Sequence, residues 1–274
     1  MKNLLKYIFG AFALAVVSSC VKAPVEPGLS EGEGWLILDY GASGELQVET
    51  KATLEYANEN NLRNFYLFVF DASGKKIYGK WFDDSMLKAS DEAVTSANED
   101  CWSMTPGTKK TVSGTEIKTQ THGRIKIKTK NGKNYTVYAL SNINADMVRI
   151  SSEYLSSSVD DISDIQELVI TLSQDVVSRN GYFPMCGKLR PVNVSGGTMS
   201  TSGSLVFTRL DAKISFDFQI GTASEGKQQV ESFKIEKWRV VNVPRKTYLA
   251  SYADRGESNA LGNIARAAGQ SSGD

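Results

Sequence analysis

The sequence predicts a mainly β protein, folded as an antiparallel β-sandwich with one short helix. Apolar and polar residues alternate with a period of two through much of the chain, and glycine and serine are frequent between the short predicted strands. Hydrophobic residues make up 41% of the 274 residues, so there is enough apolar material for a packed core. Many short strands joined by such turns are typical of a sandwich.

Three strands and a polar segment are predicted in the first part of the body. Residues 35–40 and 45–56 are predicted strands. Residues 64–70 are apolar at nearly every position, which favours a strand in the middle of a sheet, covered on both faces. Asp71-Ala72-Ser73-Gly74 then supplies turn residues before the next strand. The polar segment 85–118 is predicted to be a long surface excursion.

A β-hairpin is predicted around Asn131-Gly132. Residues 124–128 alternate basic and apolar side chains, as a half-exposed strand does, and residues 135–140 form the predicted return strand. An Asn-Gly pair is a strong hairpin signal because both residues tolerate positive φ. We expect the lysines of this hairpin to lie on a solvated sheet face: Lys126, Lys128, Lys130 and Lys133.

The second half of the chain combines a helix with further strands. Ile162, Ile165 and Leu168 fall on one face of a helix predicted over residues 162–177, which begins after two aspartates. A weaker helical turn is predicted over residues 145–151. Further strands are predicted at residues 182–185, 204–207, 213–218 and 233–241.

The amino terminus has the features of a secretory signal peptide. Lys2 and Lys6 precede an apolar stretch that is too short to span a bilayer, because a spanning helix needs about 20 residues. Val17-Ser18-Ser19-Cys20 resembles the lipobox of bacterial lipoproteins. That resemblance implies cleavage between Ser19 and Cys20 and attachment of fatty acyl chains, such as palmitate, to Cys20.

These features divide the chain into four parts. Residues 1–19 are the predicted lipoprotein signal peptide, and residues 20–34, rich in proline, glycine and glutamate, are a predicted flexible tether. Residues 35–250 form the predicted folded body. Residues 251–274 have few bulky apolar side chains and are predicted to be a disordered tail or the start of a second domain. We expect a lipid anchor to hold the mature protein at the outer membrane.

Composition excludes several classes of function. Lys and Arg number 31, as do Asp and Glu, and this zero net charge argues against a nucleic-acid binder, which needs a basic surplus. His122 is the single histidine, which excludes multi-histidine metal sites and catalysis by two histidines. We therefore expect no enzymatic activity, no metal and no cofactor. Whether Cys101 and Cys186 form a disulfide stays open at this point.

Two tryptophans suggest an alternative function. Trp81 and Trp102 accompany the polar excursion, and aromatic side chains on a β-sandwich surface stack against sugar rings. A glycan-binding surface lipoprotein is therefore the competing interpretation.

A series of short motifs runs through the chain in a fixed order. They are the lipobox ending at Cys20, Glu49-Thr50-Lys51-Ala52, and residues 65–74, 135–142, 183–187, 208–214 and 241–244. Together they resemble the fimbrillins, the subunits of type V pili, and their fimbrillin-like lipoprotein relatives. The resemblance implies a transthyretin-like β-sandwich without enzymatic activity. It also implies a structural component of a cell-surface fimbrium, as subunit, anchor or tip protein, that contributes to adhesion.

The resemblance further implies a processing step. In pilus-forming members a trypsin-like protease removes an amino-terminal strand, and a strand donated by another subunit fills the groove. The matching cut here follows Lys51 and removes residues 35–48. Many members have arginine at this point, so Arg63 is the alternative cleavage site.

The same resemblance supplies the expected partners. These are other fimbrial subunits through donor-strand exchange, the outer membrane through the lipid, and a host surface protein or glycan. Pilus-forming members also carry a second sandwich that contains the donor strand. This chain is therefore expected to be either truncated or a single-domain relative.

Overall fold

Most of the described chain is β-strand. The computed structural model describes residues 25–43, 61–112, 115–118, 121–143, 150–171, 182–210, 234 and 246–250. The strands are β1 (Glu33–Ser43), β2 (Phe65–Phe70), β3 (Lys76–Phe82), β4 (Leu87–Lys88), β5 (Cys101–Ser103), β6 (Lys109–Val112), β7 (Thr115–Lys118), β8 (Thr121–Lys130), β9 (Gly132–Ser141), β10 (Val169–Thr171), β11 (Met185–Val194), β12 (Met199–Arg209) and β13 (Lys246–Tyr248). The mainly β class is confirmed.

One nine-stranded sheet dominates the fold, with strand order β3-β2-β9-β11-β12-β1-β8-β5-β4. Two small sheets are formed by β6 with β7 and by β10 with β13. The main sheet curls so that its two ends meet. At the junction, Tyr78 and Lys80 of β3 both donate hydrogen bonds to the carboxylate of Asp100, the residue before β5. The predicted packing into a transthyretin-like sandwich stays a prediction.

Strand β2 lies inside the sheet, as its unbroken apolar sequence predicts. It pairs with β3 on one side and β9 on the other, and all six residues are buried. Side chains at alternate positions enter two separate core clusters, with Phe65 in one and Tyr66 in the other. The predicted turn after β2 is also present: Gly74 has φ +91°, and the Asp71 carboxylate accepts the backbone N–H of Ser73 and of Lys75.

The predicted hairpin of β8 and β9 is wrong. β8 pairs with β1 and β5, whereas β9 pairs with β2 and β11. The backbone N–H of Asn131 donates to the carbonyl of Gly32, and a positive φ occurs at Asn134, the third residue of β9. The chain therefore crosses to a different part of the curled sheet, where β9 pairs with β2 and β11 instead of with β8.

The described residues contain three short α-helices, where one helix and a weaker helical turn were predicted. α1 covers Asp91–Ser96, α2 covers Ser152–Ser158 and α3 covers Ile162–Glu167. The predicted start of α3 is confirmed, with a capping box between Asp161 and Asp164. The helix ends ten residues earlier than predicted because the next residues, Val169–Thr171, are all β-branched and pair with β13.

The polar segment 85–118 is more ordered than its sequence predicts. It contains β4, α1, β5, β6 and β7, and β5 joins the main sheet beside β8. Cys101 and Trp102 of β5 are fully buried, and the Trp102 indole N–H donates to the carbonyl of Asp83. A few large apolar side chains are therefore sufficient to fix this segment to the body.

The remaining predicted elements divide between the described and the undescribed chain. The strand predicted at 204–207 lies within β12, but the one predicted at 182–185 begins only at Met185, because Tyr182 has φ +54°. The strands at 45–56, 213–218 and 233–241, most of the helical turn at 145–151, and the tail lie outside the described residues. None of the helices in the described part of the chain has the length and apolar composition of a membrane span.

Candidate functional site

The first strand of the described chain is built into the middle of the main sheet. β1 lies between β12, to which it is parallel, and β8, to which it is antiparallel. Backbone ladders on both sides therefore satisfy its N–H and C=O groups. We call the position that β1 occupies between β12 and β8 the β1 seat. The residues predicted to form the removable strand, as far as Ser43, are thus paired along their whole described length.

The inward face of β1 is part of the larger core cluster. Leu36, Leu38 and Ala42 are fully buried in it, and Tyr40 is 2% exposed. The Tyr40 hydroxyl donates a 2.7 Å hydrogen bond to the carbonyl of Ser103 in β5. Burial, followed by the nearby Asp91 carboxylate, raises the pKa of Tyr40 well above its ordinary value.

The outward face of β1 is covered as well. Trp35 is 1% exposed, and the ammonium of Lys126 lies 4.7 Å from the centroid of its ring. The same ammonium donates to the carbonyls of Thr95 and Ala97, at the end of α1, at 2.7 and 2.5 Å. Burial lowers the pKa of Lys126. Its predicted place on a solvated face is therefore wrong, because the segment around α1 covers it.

The segment before β1 completes this cover. The indole N–H of Trp35 donates to the carbonyl of Pro27, and the Lys128 ammonium donates to the carbonyl of Gly28. The backbone N–H of Glu26 donates to the carbonyl of Gly197. The described part of the predicted tether, residues 25–34, is thus hydrogen-bonded to the body, and β1 begins within it, two residues before the predicted boundary at Trp35.

A buried polar cluster marks the place where the chain returns after β1. Thr121 of β8 pairs with Ala42 near the end of β1, and the Thr121 hydroxyl donates to the side-chain oxygen of Asn61. The amide of Asn142 donates to the carbonyls of Asn61 and Phe183, at 2.9 and 2.8 Å. The two Asn142 hydrogen bonds hold the chain at residue 61 without the participation of any β1 residue.

Arg63, one of the two predicted processing residues, lies in this returning segment. Its side chain is exposed, but its backbone N–H donates to the side-chain oxygen of Asn142 at 2.8 Å, and Leu62 and Asn64 on either side are buried. The other predicted site residues, Ser19, Cys20 and Lys51, lie outside the described residues. Of the predicted site residues, the described part of the chain therefore places Arg63 alone.

The residues considered for ligand binding or catalysis are dispersed. Trp102 is fully buried, so it cannot stack on a sugar, and Trp81 packs against the smaller core cluster with its ring 6.5 Å from that of Tyr66. His122 is exposed and lies within β8. Cys101 is buried and Cys186 half-buried, and both are thiols.

Sequence reasoning missed the residues that hold β1 and the returning chain. Trp35 and Asp39 lie in the strand that the resemblance marks as removable, and Asn142 lies in the 135–142 motif, but neither feature predicts the contacts that these side chains make. Asn61 lies in no motif. The alternation of basic residues in β8 was the one available signal, and it is equally typical of a solvated strand. Their roles appear only when the sheet order places β8 beside β1.

The fold and the β1 seat together define a mainly β protein that keeps an amino-terminal strand in the interior of its sheet. The family described as Major fimbrial subunit protein (FimA) matches residues 38–232. This chain belongs to that family, as the sequence motifs predict. Membership supports a pilus- or adhesin-type role at the cell surface. No curated protein matches the sequence.

Several solved structures are similar to this chain. A fimbrial assembly protein from Parabacteroides distasonis is 17% identical, with a TM-score of 0.46, over 80% of this chain and 66% of that protein. A fimbrilin from Porphyromonas gingivalis is 10% identical, with a TM-score of 0.34, over 66% and 40% of the two chains. A proposed adhesin from Bacteroides thetaiotaomicron is 11% identical, with a TM-score of 0.32, over 66% and 47%. The matches thus span less than two thirds of each of these proteins.

Proposed function

We propose that this protein is a structural component of a cell-surface fimbrium in which proteolysis frees β1 and a strand from another subunit takes the β1 seat. The observation that supports this most strongly is the position of β1. It is the first described strand, it is internal to the sheet, and it is joined to the rest of the body only through the segment after Ser43. A single cut in residues 44–60 would therefore leave β1 bound by non-covalent contacts alone.

The energetics favour replacement over simple loss of β1. An empty seat would expose one row of backbone N–H and C=O groups on β8 and another on β12. It would also expose the core contacts of Leu36, Leu38 and Tyr40, each worth about 1.5–3 kcal/mol when fully buried. After the cut, β1 therefore remains bound for most of the time but can dissociate transiently, and a strand from another subunit that offers the same ladders and side chains can then bind in its place by β-augmentation.

The contacts of Arg63 favour Lys51 as the processing site. A protease needs several residues around the scissile bond in an extended, accessible form. Arg63 is held by Asn142 and flanked by buried residues, so cleavage there would require the returning segment to leave the body. We therefore propose that the cut follows Lys51, and that the chain from residue 61 onward stays in place.

The lipid anchor lies on the segment that the cut would separate from the body. We propose that signal cleavage after Ser19 leaves an acylated Cys20 at the outer membrane, where two or three acyl chains hold the precursor. Because Cys20 precedes β1, exchange of β1 for a donor strand would also release the body from its membrane anchor. Neither step needs a catalytic group in this chain, and we propose no enzymatic activity.

The test uses the non-acylated precursor, starting at residue 21, with a site-specific protease sequence placed at Lys51. After cutting, a heavy-isotope peptide of residues 31–43 is added in excess and the complex is weighed by native mass spectrometry. We expect the original amino-terminal fragment to be replaced by one heavy peptide per body. The uncut precursor is the control and should take up none. Retention of the original fragment, or unfolding of the cut protein, would refute strand exchange.

A second comparison separates the two processing sites. The natural, Lys51→Ala and Arg63→Ala precursors are treated briefly with trypsin. We expect the first fragment that trypsin releases from the natural precursor to be missing from the Lys51→Ala digest and present in the Arg63→Ala digest. If Arg63→Ala is the variant that loses it, the returning segment opens more easily than its hydrogen bonds indicate.

A further inference from the structure

We infer that the strand that replaces β1 carries a row of acidic, aromatic and acidic side chains on its outward face, matched to three cations of β8. The inference rests on the proposed strand exchange and specifies the chemistry of the donor. It comes from the register of β1 against β8, in which the outward residues of the two strands meet.

Three basic side chains occupy alternate, outward positions of β8. In the antiparallel register, Asp39 of β1 lies opposite Arg124, Ile37 opposite Lys126 and Trp35 opposite Lys128. The inward positions between these cations are Ile125 and Ile127, which belong to the core. The groove left by β1 would thus have an apolar inner half and a cationic outer half. The three cations are Arg124, Lys126 and Lys128.

Asp39 is the partner that β1 gives to the first cation. Its carboxylate lies 2.7 Å from the Nε of Arg124, and the side chains are 60% and 28% exposed. The Asp39 hydrogen bond is the main reason that the pKa of Arg124 is raised. A second hydrogen bond, from Arg124 to the Thr95 hydroxyl, keeps the guanidinium directed along the seat after β1 leaves.

Trp35 is the partner of the second cation, on the diagonal from Lys126. Lys126 is 2% exposed, and its ammonium has two carbonyl acceptors and the Trp35 ring. Without the ring, one side of a buried ammonium would face open groove. An aromatic side chain restores this contact and excludes water, whereas an aliphatic one supplies no π-face for the cation.

Glu33 is the partner of the third cation. Its carboxylate lies 3.9 Å from the Lys128 ammonium, at the start of β1. The donor is therefore expected to have an acid at one position, an aromatic residue two positions later and a second acid four positions after that. Aliphatic residues fill the third and fifth positions after the first acid, which are those of Leu36 and Leu38.

This requirement discriminates between partner strands. A donor with lysine at the Asp39 position would place like charges directly opposite each other, which destabilises a strand pair. This chain also contains a partial match in its own sequence, Glu236-Lys237-Trp238-Arg239, with the acid and the aromatic residue correctly spaced. Arg239 would fall at the inward Leu36 position, so we expect this segment to be rejected.

The experiment measures peptide competition for the seat of the cut full-length precursor. A fluorescent peptide of residues 31–43 is displaced by unlabelled versions with Asp39→Lys, with Trp35→Leu, or with Glu33→Lys, and by a peptide of residues 234–244. We expect Asp39→Lys and Trp35→Leu to compete roughly three- to tenfold less well, and the 234–244 peptide to compete least. Because these changes are in the peptide, the fold of the protein is unaffected.

A charge swap supplies the decisive comparison. Arg124→Glu in the protein should lower the affinity of the natural peptide for the seat by a similar factor. It should also raise the affinity of the Asp39→Lys peptide to within about twofold of that between the natural peptide and the natural protein. Lys133→Glu, a reversal at an exposed position of β9 outside the seat, is the matched control and should change neither value. If all 31–43 peptides bind equally, the inference fails while strand exchange stands. If no peptide enters the cut protein, strand exchange itself fails.

Discussion

The hydroxyl of Tyr40 donates a 2.7 Å hydrogen bond to the carbonyl oxygen of Ser103, although a whole strand lies between their two strands. The path is open because the residue opposite Tyr40 in β8 is Gly123. A Cβ at Gly123 would lie 2.1 Å from the Ser103 oxygen and 2.8 Å from the Tyr40 hydroxyl. A glycine in β8 thus lets a side chain of β1 reach across β8 to the backbone of β5.

Tyr40→Phe should lower the free energy of unfolding at pH 7 by about 1–2 kcal/mol, because the Ser103 carbonyl loses its buried partner. The pKa of Tyr40 is raised by folding, so the stability it contributes is complete below pH 10 and is lost as the pH rises beyond that value. Urea unfolding at pH 8 and pH 10.5 should show a smaller alkaline loss in Tyr40→Phe than in the natural protein. Equal losses of stability in the two proteins would contradict a contribution of Tyr40 to the alkaline loss.

Gly123→Ala should destabilise the fold by about 1–3 kcal/mol, because the added methyl group meets backbone rather than a flexible side chain. Gly203→Ala is the matched control. Its Cβ would lie 3.6 Å from the nearest atom, an ordinary contact, and its stability should stay close to that of the natural protein. Thermal unfolding of the two variants tests the difference, and similar melting temperatures would show that β5 and β8 are farther apart than described.

Asp100→Ala should loosen the closure of the curled sheet. The Asp100 carboxylate accepts the Tyr78 hydroxyl at 2.9 Å, the Lys80 ammonium at 2.8 Å and the Lys128 backbone N–H at 2.7 Å. Its side chain is 12% exposed, so we expect a loss of about 2–3 kcal/mol in chemical denaturation. Lys80→Ala removes one partner, 44% exposed, and should cost less than about 1 kcal/mol. A larger effect for Lys80 would mean that the ion pair, not the carboxylate cluster, closes the sheet.

Asn142→Asp should destabilise the returning segment by about 2–4 kcal/mol. The change keeps one oxygen for Arg63 but places a carboxylate oxygen against the carbonyls of Asn61 and Phe183. Asn142→Gly keeps the positive φ of 57° while removing all three hydrogen bonds, so it separates side-chain from backbone effects. Trypsin cleavage at Arg63, followed by mass spectrometry, should accelerate in both variants. Unchanged cleavage would show that Asn142 does not protect this bond.

Local sequence predicted the elements whose conformation depends on their own residues and not on which strands lie beside them. β2 has apolar residues at every position, so burial on both faces follows whichever strands lie beside it. The Asp71-Gly74 turn depends on its own four residues. The helix after Asp161 was correctly placed at its start, where the capping box is local, and wrongly extended over Val169–Thr171, whose pairing with β13 is not local.

The β1 seat could not be predicted in the same way. The alternation of Lys126 with its isoleucine neighbours predicts a solvent-exposed sheet face. The prediction fails because the end of α1, some thirty residues away in sequence, covers the Lys126 side chain. The Asn131-Gly132 pair predicts a hairpin from two residues alone, whereas the sheet order is decided by β11, β12 and β1, which lie between β9 and β8. Position in the sheet, and hence the seat, is a property of the whole chain.

Hydrogen exchange of the cut precursor tests the central claim most directly. We expect the amides of β8 and β12 that face β1 to exchange at least roughly tenfold faster after the cut, while those of β2 and β9 keep their protection. An excess of the 31–43 peptide should restore protection in β8 and β12. Simultaneous loss of protection in β2 and β9 would contradict the account, because β1 would then be an inseparable part of the fold.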